Sequence, residues 1–141
     1  MTFVDASLPL QKAILAALKA DATLQALVGG KIYDTVPPSA EMPYVSFGTF
    51  DVQTEDADEY EGSDSFIQID AWSGGESVVG SVEAKKIGRA IRGALHHANL
   101  SLDEDQRLVD LTVDAVRYLR ELDGITQHVA ITLRARTEPV I

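Results

Sequence analysis

The sequence contains no cysteine among its 141 residues, so no disulfide framework can stabilise the fold. It also lacks any run of about 18 apolar residues, which argues against a membrane-spanning helix. The first residues, Met1 to Asp5, contain neither a basic nor an apolar stretch and do not resemble a secretory signal. A chain of 141 residues is long enough for one domain, so we expect a single domain, residues 1–141. The lack of an apolar run leads us to expect no membrane partner.

Basic residues are scarce and unevenly placed. Twelve Lys and Arg oppose 22 Asp and Glu, which gives a formal net charge of −10, and no basic residue lies between Lys31 and Lys85. A surface that binds duplex DNA needs clustered cations to displace counterions from the phosphates. The composition therefore argues against specific DNA binding.

The acidic residues crowd one short segment. Its self-repulsion predicts a solvated loop at the tip of a hairpin. Carboxylates could also bind calcium, but an EF-hand loop starting at Asp56 would need other residues at Tyr60, Glu61 and Ile67. We favour the solvated loop and expect no metal cofactor. The segment comprises Asp51, Glu55, Asp56, Asp58, Glu59, Glu61 and Asp64.

The last third of the chain contains two runs in which apolar and polar residues alternate. Side chains of a strand point alternately to opposite faces, so each run has one face for the core and one for water. Both runs are therefore predicted to be strands of one hairpin. The apolar positions are Val109, Leu111, Val113 and Ala115 in the first run, and Val129, Ile131, Leu133 and Ala135 in the second.

The turn between these runs determines their register. A three-residue loop, 122–124, with Gly124 in the left-handed region pairs apolar with apolar positions, whereas a two-residue turn would mix the faces. It places Leu133 opposite Val113 and Ile131 opposite Ala115. Burial of the aliphatic pairs stabilises the hairpin by more free energy than an exposed ion pair does, so we predict the three-residue loop. On the wet face this register places Asp110 opposite Arg136.

Three helices are predicted from apolar stripes at helical spacing. Ser7 is the expected cap of the first, and Asp21 caps a shorter second helix that ends at Gly29 and Gly30. The third helix begins after Ser77 or Ser81. The inward stripes are Leu10, Ile14, Leu15 and Leu18 in the first helix, Leu24, Leu27 and Val28 in the second, and Val82, Ile87, Ile91, Ala94 and Leu95 in the third. Lys85, Lys86, Arg89 and Arg92 of the third helix face solvent or a partner.

Shorter strands are predicted over 32–34, 43–48 and 66–72, with a further short strand over 100–102. The order of helices and strands indicates an α+β fold. We expect a single domain with an antiparallel or mixed sheet of four to five strands, two main helices packed on one face and a long C-terminal β-hairpin.

No catalytic apparatus is visible. Gly29-Gly30-Lys31 lacks the remainder of a Walker motif, and the adjacent His96 and His97 point about 100° apart on a helix, so they cannot ligate one metal as an i, i+4 pair. The third histidine, His128, lies on a polar strand face. Without cysteine and without a Gly-x-Ser-x-Gly elbow, no nucleophile presents itself. We expect neither catalysis nor a cofactor.

Trp72 and Phe66 lie on the polar face of their predicted strand, beside Gln68 and Asp70. They could be buried under a helix or at a sheet edge. They could also form a contact between subunits, because aromatic residues among polar groups are typical of protein interfaces. The sequence does not distinguish these two hypotheses.

Several short stretches, in order along nearly the whole chain, together resemble the tail-completion, or tail-terminator, proteins of long-tailed phages, prophages and gene transfer agents. The acidic segment matches no stretch of that family. The stretches are Leu10-Gln11-Lys12-Ala13-Ile14, Leu27-Val28-Gly29-Gly30-Lys31-Ile32-Tyr33-Asp34, Pro43-Tyr44-Val45, Ile69-Asp70-Ala71-Trp72-Ser73, Glu83-Ala84-Lys85 and Leu133-Arg134-Ala135-Arg136-Thr137.

The resemblance implies a structural role in the virion, with assembly in the bacterial cytoplasm. Proteins of that family form a ring, usually of six subunits, that caps the head-proximal end of the tail tube, stops its polymerisation and docks the head connector. DNA passes through the lumen without specific binding. Two alternatives are another component of the head–tail connection, such as a head-closure or tail-tube protein, and a small-ligand-binding or enzymatic domain.

Two hypotheses about surfaces follow from the residues. The acidic segment, with Asp56, Asp58, Glu59 and Glu61, would face the lumen or the rim of the tube and repel DNA. The basic residues of the third helix, with Arg89 and Arg92, would meet acidic groups of a neighbouring subunit. Trp72 is the third candidate contact.

Overall fold

The computed structural model describes residues 5–54, 62–75, 78 and 80–140, and these form an α+β fold. Its five-stranded mixed sheet has the order β1-β2-β3-β5-β4, with β1 parallel to β2 and every other neighbouring pair antiparallel. This confirms the fold class predicted from the sequence. The elements are α1 (Ser7–Ala20), α2 (Ala22–Val28), β1 (Ile32–Tyr33), β2 (Tyr44–Thr54), β3 (Ser63–Gly74), α3 (Val82–Leu95), β4 (Gln106–Arg120) and β5 (Thr126–Pro139).

The core lies between the helices and one face of the sheet. Helix α3 packs on β3, β4 and β5, and α1 and α2 pack beside α3. Each large aliphatic side chain that is fully buried here stabilises the fold by about 1.5–3 kcal/mol. The largest of these side chains are Leu10, Ile14, Leu18, Leu24, Ile67, Ile69, Ile87, Ile91, Leu95, Leu111, Ile131 and Leu133.

The capping residues predicted from the sequence are confirmed for α2 but not for α1. Oδ2 of Asp21 accepts a hydrogen bond of 2.9 Å from the backbone N–H of Leu24, and α2 ends at Gly29 with φ 62°. Both features were predicted. Ser7 is not the cap, because it is already the first residue of α1, where its backbone N–H donates to Oδ1 of Asp5 at 2.7 Å.

Val82 was also assigned wrongly to the buried stripe of α3. Its side chain is 65% exposed, whereas Ala84, Ile87 and Ile91 are buried. At about 100° per residue, Val82 lies roughly 140–180° around the helix from Ile87 and Ile91. It therefore points away from the sheet.

The C-terminal hairpin has the predicted register at its middle and a longer turn than predicted. Leu133 pairs with Val113, and Asp110 lies opposite Arg136. Gly124 is left-handed, with φ 74°. The three-residue loop is wrong, because the backbone N–H of Glu121 donates to the carbonyl of Thr126 across residues 122–125.

Two β-bulges in β4 change its pairing with β5 on either side of the predicted register. One lies between Val113 and Ala115, so Ile131 pairs with Val116 and not with Ala115. The other lies between Leu108 and Asp110, and Val109 is 48% exposed although it was predicted to be buried. A bulge places one extra residue opposite a single partner, which shifts the alternation by one position.

The segment that follows α3 covers the first half of the outer edge of β4. The backbone N–H of His97 donates to the carbonyl of Leu111 at 2.8 Å, and the N–H of Val113 donates to Nδ1 of His96 at 3.0 Å. Ser101 forms an isolated bridge with Arg107, where the sequence predicted a short strand. Among the described residues, nothing comparable covers β4 beyond Val113.

Truncating the core of the hairpin tests this packing. Leu133→Ala should lower the free energy of unfolding by about 2–5 kcal/mol, because Leu133 is fully buried between α3 and the sheet. Leu122→Ala, at a fully exposed position of the turn, should change it by less than about 0.5 kcal/mol. Urea unfolding followed by circular dichroism measures both, and equal losses would contradict the assigned core.

Gly74, the last residue of β3, should also be required for a stable fold. Gly74 has φ 131°, and an added Cβ would clash with the carbonyl oxygen of Ile125. Gly74→Ala should therefore destabilise the fold by about 2–4 kcal/mol. Gly93→Ala is the matched control, because open space lies around that helical position, and it should stabilise the fold by about 0.5–1 kcal/mol. Thermal unfolding would contradict the assignment if both variants shifted Tm in the same direction.

Candidate assembly surfaces

The sheet has an open face, opposite the helices, that carries polar side chains and several aromatic rings. It is formed by the residues that alternate with the buried ones on β3 and β5. Its members on β3 are Asp64, Phe66, Gln68, Asp70 and Trp72, and those on β5 are His128, Ala130, Thr132, Arg134 and Arg136.

Trp72 is held on this face by a polar cluster. Its indole stacks on His128, with ring centroids 4.0 Å apart and planes 7° from parallel. Nε2 of His128 lies 2.6 Å from Oδ1 of Asp70, and Nδ1 lies 3.4 Å from Oε1 of Glu121. The Gln68 amide donates to the same Asp70 oxygen at 2.9 Å. Trp72 is thus half-buried with partners of its own, and the rest of its ring is available to another molecule.

A second cluster at the other end of the open face contains two arginines. Arg134 donates to Oδ2 of Asp64 at 3.0 Å, and Nε of Arg136 lies 3.6 Å from Oδ1 of the same carboxylate. The guanidinium of Arg134 also lies 6.0 Å from the centre of the Phe66 ring. Asp64 is therefore buried in an ion pair, which corrects its assignment to a solvated loop.

The remaining acidic candidates, Asp56, Asp58, Glu59 and Glu61, lie outside the described residues. Their placement at the lumen stays a prediction. Asp51 is described, and it is exposed on β2 opposite Phe66.

The basic face of α3 consists of Lys85, Lys86, Arg89 and Arg92. All four side chains are exposed, as the helical periodicity predicted. Across the ranges that the structure describes, none of them forms an ion pair or a hydrogen bond with another described residue. The face therefore presents uncompensated positive charge.

A groove of about 800 Å³ runs between α2 and α3 beside this face. Its lining combines Leu27 and small residues with the basic side chains of Lys86 and Arg89. Sequence reasoning missed the groove because its formation depends on how the two helices pack. The lining residues are Asp21, Thr23, Ala26, Leu27, Lys86, Arg89, Ala90 and Gly93.

The C-terminal end of α3 is less positive than its two histidines suggest. Desolvation lowers the pKa of His96 below its ordinary 6.5, and the positive charges of His97 and Arg92 lower it further. Nδ1 of His96 accepts the hydrogen bond from Val113, which also requires an unprotonated nitrogen. The helix dipole would favour a cation at this end of α3, but the protonated form of His96 is disfavoured.

No group of three or more His, Asp or Glu side chains among the described residues is arranged to hold a metal ion. No helix among them has the length and the apolar character that crossing a membrane would require.

Comparison with known proteins identifies the class. The family model for "Tail completion protein gp17" matches residues 12–138. A chain of the "Virion of native gene transfer agent (GTA) particle" is 32% identical, with a TM-score of 0.84, over 94% of this chain and 97% of that one. The gp17 protein of bacteriophage SPP1, 23% identical, shares the fold with a TM-score of 0.58 over 92% of this chain and 89% of that one. No curated protein matches.

This protein is therefore a structural virion protein of the class that completes phage tails. Within that class, the chain belongs to the gp17 tail completion family. The resemblance seen in the sequence is confirmed.

The role of Trp72 in assembly can be tested directly. Trp72→Ala should weaken self-association at least tenfold and leave the monomer folded, because loss of the ring stack should cost only about 1–2 kcal/mol. His128→Ala, which removes the stacking partner but keeps the indole, is the matched control and should weaken association less. Sedimentation velocity with parallel urea unfolding measures both. Unchanged sedimentation of Trp72→Ala would contradict the interface role.

Proposed function

We propose that this protein is a tail terminator: copies of it form a ring of six at the head-proximal end of the tail tube, where the ring stops polymerisation and docks the head connector. The observation that carries this proposal is the fold match to a chain of a gene transfer agent virion over nearly the full length of both chains. The partners would be other copies of the chain, the tail-tube protein and a head-closure or connector protein.

The open face and the basic face suit a protein that works through contacts with copies of itself. The open face exposes part of Trp72 among polar groups, and α3 presents cations that no described residue neutralises. Aromatic and arginine side chains are enriched in protein interfaces. Asp56, Asp58, Glu59, Glu61, Trp72, Arg89 and Arg92 are accordingly the proposed contact and lumen residues.

Net charge supports a path for DNA without specific binding. Six copies at −10 each would give the ring a formal charge of about −60. An acidic segment at the lumen or the tube rim would repel the phosphate backbone and prevent DNA from adhering during passage. A ring structure with residues 55–61 on its outer wall would remove this part of the proposal.

Removing the protein from assembling particles tests the proposal. Without a terminator, tubes should exceed their normal length or vary widely in length, and heads should lack attached tails. Expression of the wild-type chain from a plasmid should restore uniform tails, and the empty plasmid is the control. Electron microscopy measures tail lengths, and tails of normal length on normal heads in the absence of the protein would refute the assignment.

A further inference from the structure

One exposed acidic turn lies outside every surface described so far. It consists of Asp103, Glu104 and Asp105, immediately before β4, and we name it the acidic turn. All three side chains are exposed. Within the described portion of the chain, no cation forms an ion pair with any of them. The acidic turn is thus a patch of uncompensated negative charge. The basic face of α3 is the corresponding patch of positive charge.

The backbone holds the acidic turn in a defined shape. Glu104 and Asp105 have φ of 62° and 58°, a region that side chains other than glycine adopt at a cost. The carbonyl of Asp105 accepts a hydrogen bond of 2.7 Å from the N–H of Val140, and the bridge between Ser101 and Arg107 closes the base of the turn. The three carboxylates therefore project from a fixed base.

The groove between α2 and α3 is complementary to such a turn. Lys86 and Arg89 line the groove and can pair with carboxylates, and Ala90 and Gly93 contribute no long side chain to it. Asp21 also lines the groove, where its carboxylate caps α2. Apart from its chain neighbours and the backbone of α3, no atom lies within 4 Å of a Cβ built on Gly93, so the space beside it is open. The exposed acidic turn of another copy can therefore approach Lys86 and Arg89 at this groove.

We propose that the acidic turn of one copy docks in the groove between α2 and α3 of the next copy, with Lys86 and Arg89 pairing its carboxylates. The occupant is a second copy of this chain, because the chain itself supplies a patch of each sign and no ion pair joins the two among the described residues of one copy. The inference rests on the proposed ring and names the contact that closes it.

Pairing two different patches makes the contact heterologous. Each copy then uses its groove for one neighbour and its acidic turn for the other, so an open chain always leaves one patch of each kind unpaired. Such head-to-tail contacts generate rings when the rotation between neighbours closes. The contact therefore accounts for a cyclic assembly.

Complementary charge reversals test this contact. The groove variant Lys86→Glu with Arg89→Glu, and the turn variant Asp103→Lys with Glu104→Lys, should each lower self-association at least tenfold, because like charges then face each other. Mixed one to one, the two variants should assemble again in alternation, because each offers the patch that the other needs. Circular dichroism of each variant establishes that it is folded.

The matched control is Lys12→Glu with Lys19→Glu on α1, which makes the same change of charge away from the groove and should assemble like the wild type. Sedimentation velocity and negative-stain imaging provide the readout. The contact would be overturned if the groove variant or the turn variant assembled on its own as strongly as the wild type, or if their mixture failed to assemble. A wild type that stays monomeric at every concentration would also overturn it. Tail lengths in particles lacking the protein are unaffected by these outcomes, so the proposed function is judged separately.

Discussion

The fold depends on the alternation of side chains along β5. This strand is hydrogen-bonded to β3 on one side and to β4 on the other. Val129, Ile131, Leu133 and Ala135 are completely or almost completely buried under α3, while the residues between them form the open face. A shift of one residue in either pairing would expose the core side of β5 to water, so both neighbours are fixed in register by the same apolar face. The two candidate clusters of the open face owe their positions to this constraint.

Much of the fold could be predicted because local signals and burial agree. Asp21 and Gly29 mark the ends of α2 by their own chemistry, and the alternation around Leu111 and Leu133 marks two strands and their shared face. The bulges of β4 could not be predicted, because an extra backbone residue leaves no characteristic side chain. Val82 was misplaced for a different reason: it was grouped with the stripe by its apolar character and not by its angle around the helix.

The candidate surfaces were only partly predictable. Exposure of Arg89 and Arg92 follows from helical spacing alone, and Trp72 was assigned to the correct strand face. The stack of Trp72 on His128 depends on β3 pairing with β5, a contact between strands that are distant in sequence. The groove beside α3 depends on helix packing for the same reason. Side-chain type indicates which residues can bind, whereas tertiary structure decides which of them meet.

The partly covered edge of β4 has a consequence for the protein before it assembles. An unpaired strand edge invites other chains to add to it, which leads to aggregation. Here residues 96–101 occupy the first half of that edge, and the second half is interrupted by a bulge and carries Arg117 and Arg120, both exposed. These features discourage one chain from extending the sheet of another. The part of the β4 edge that residues 96–101 leave uncovered is therefore a poor template for non-specific strand pairing.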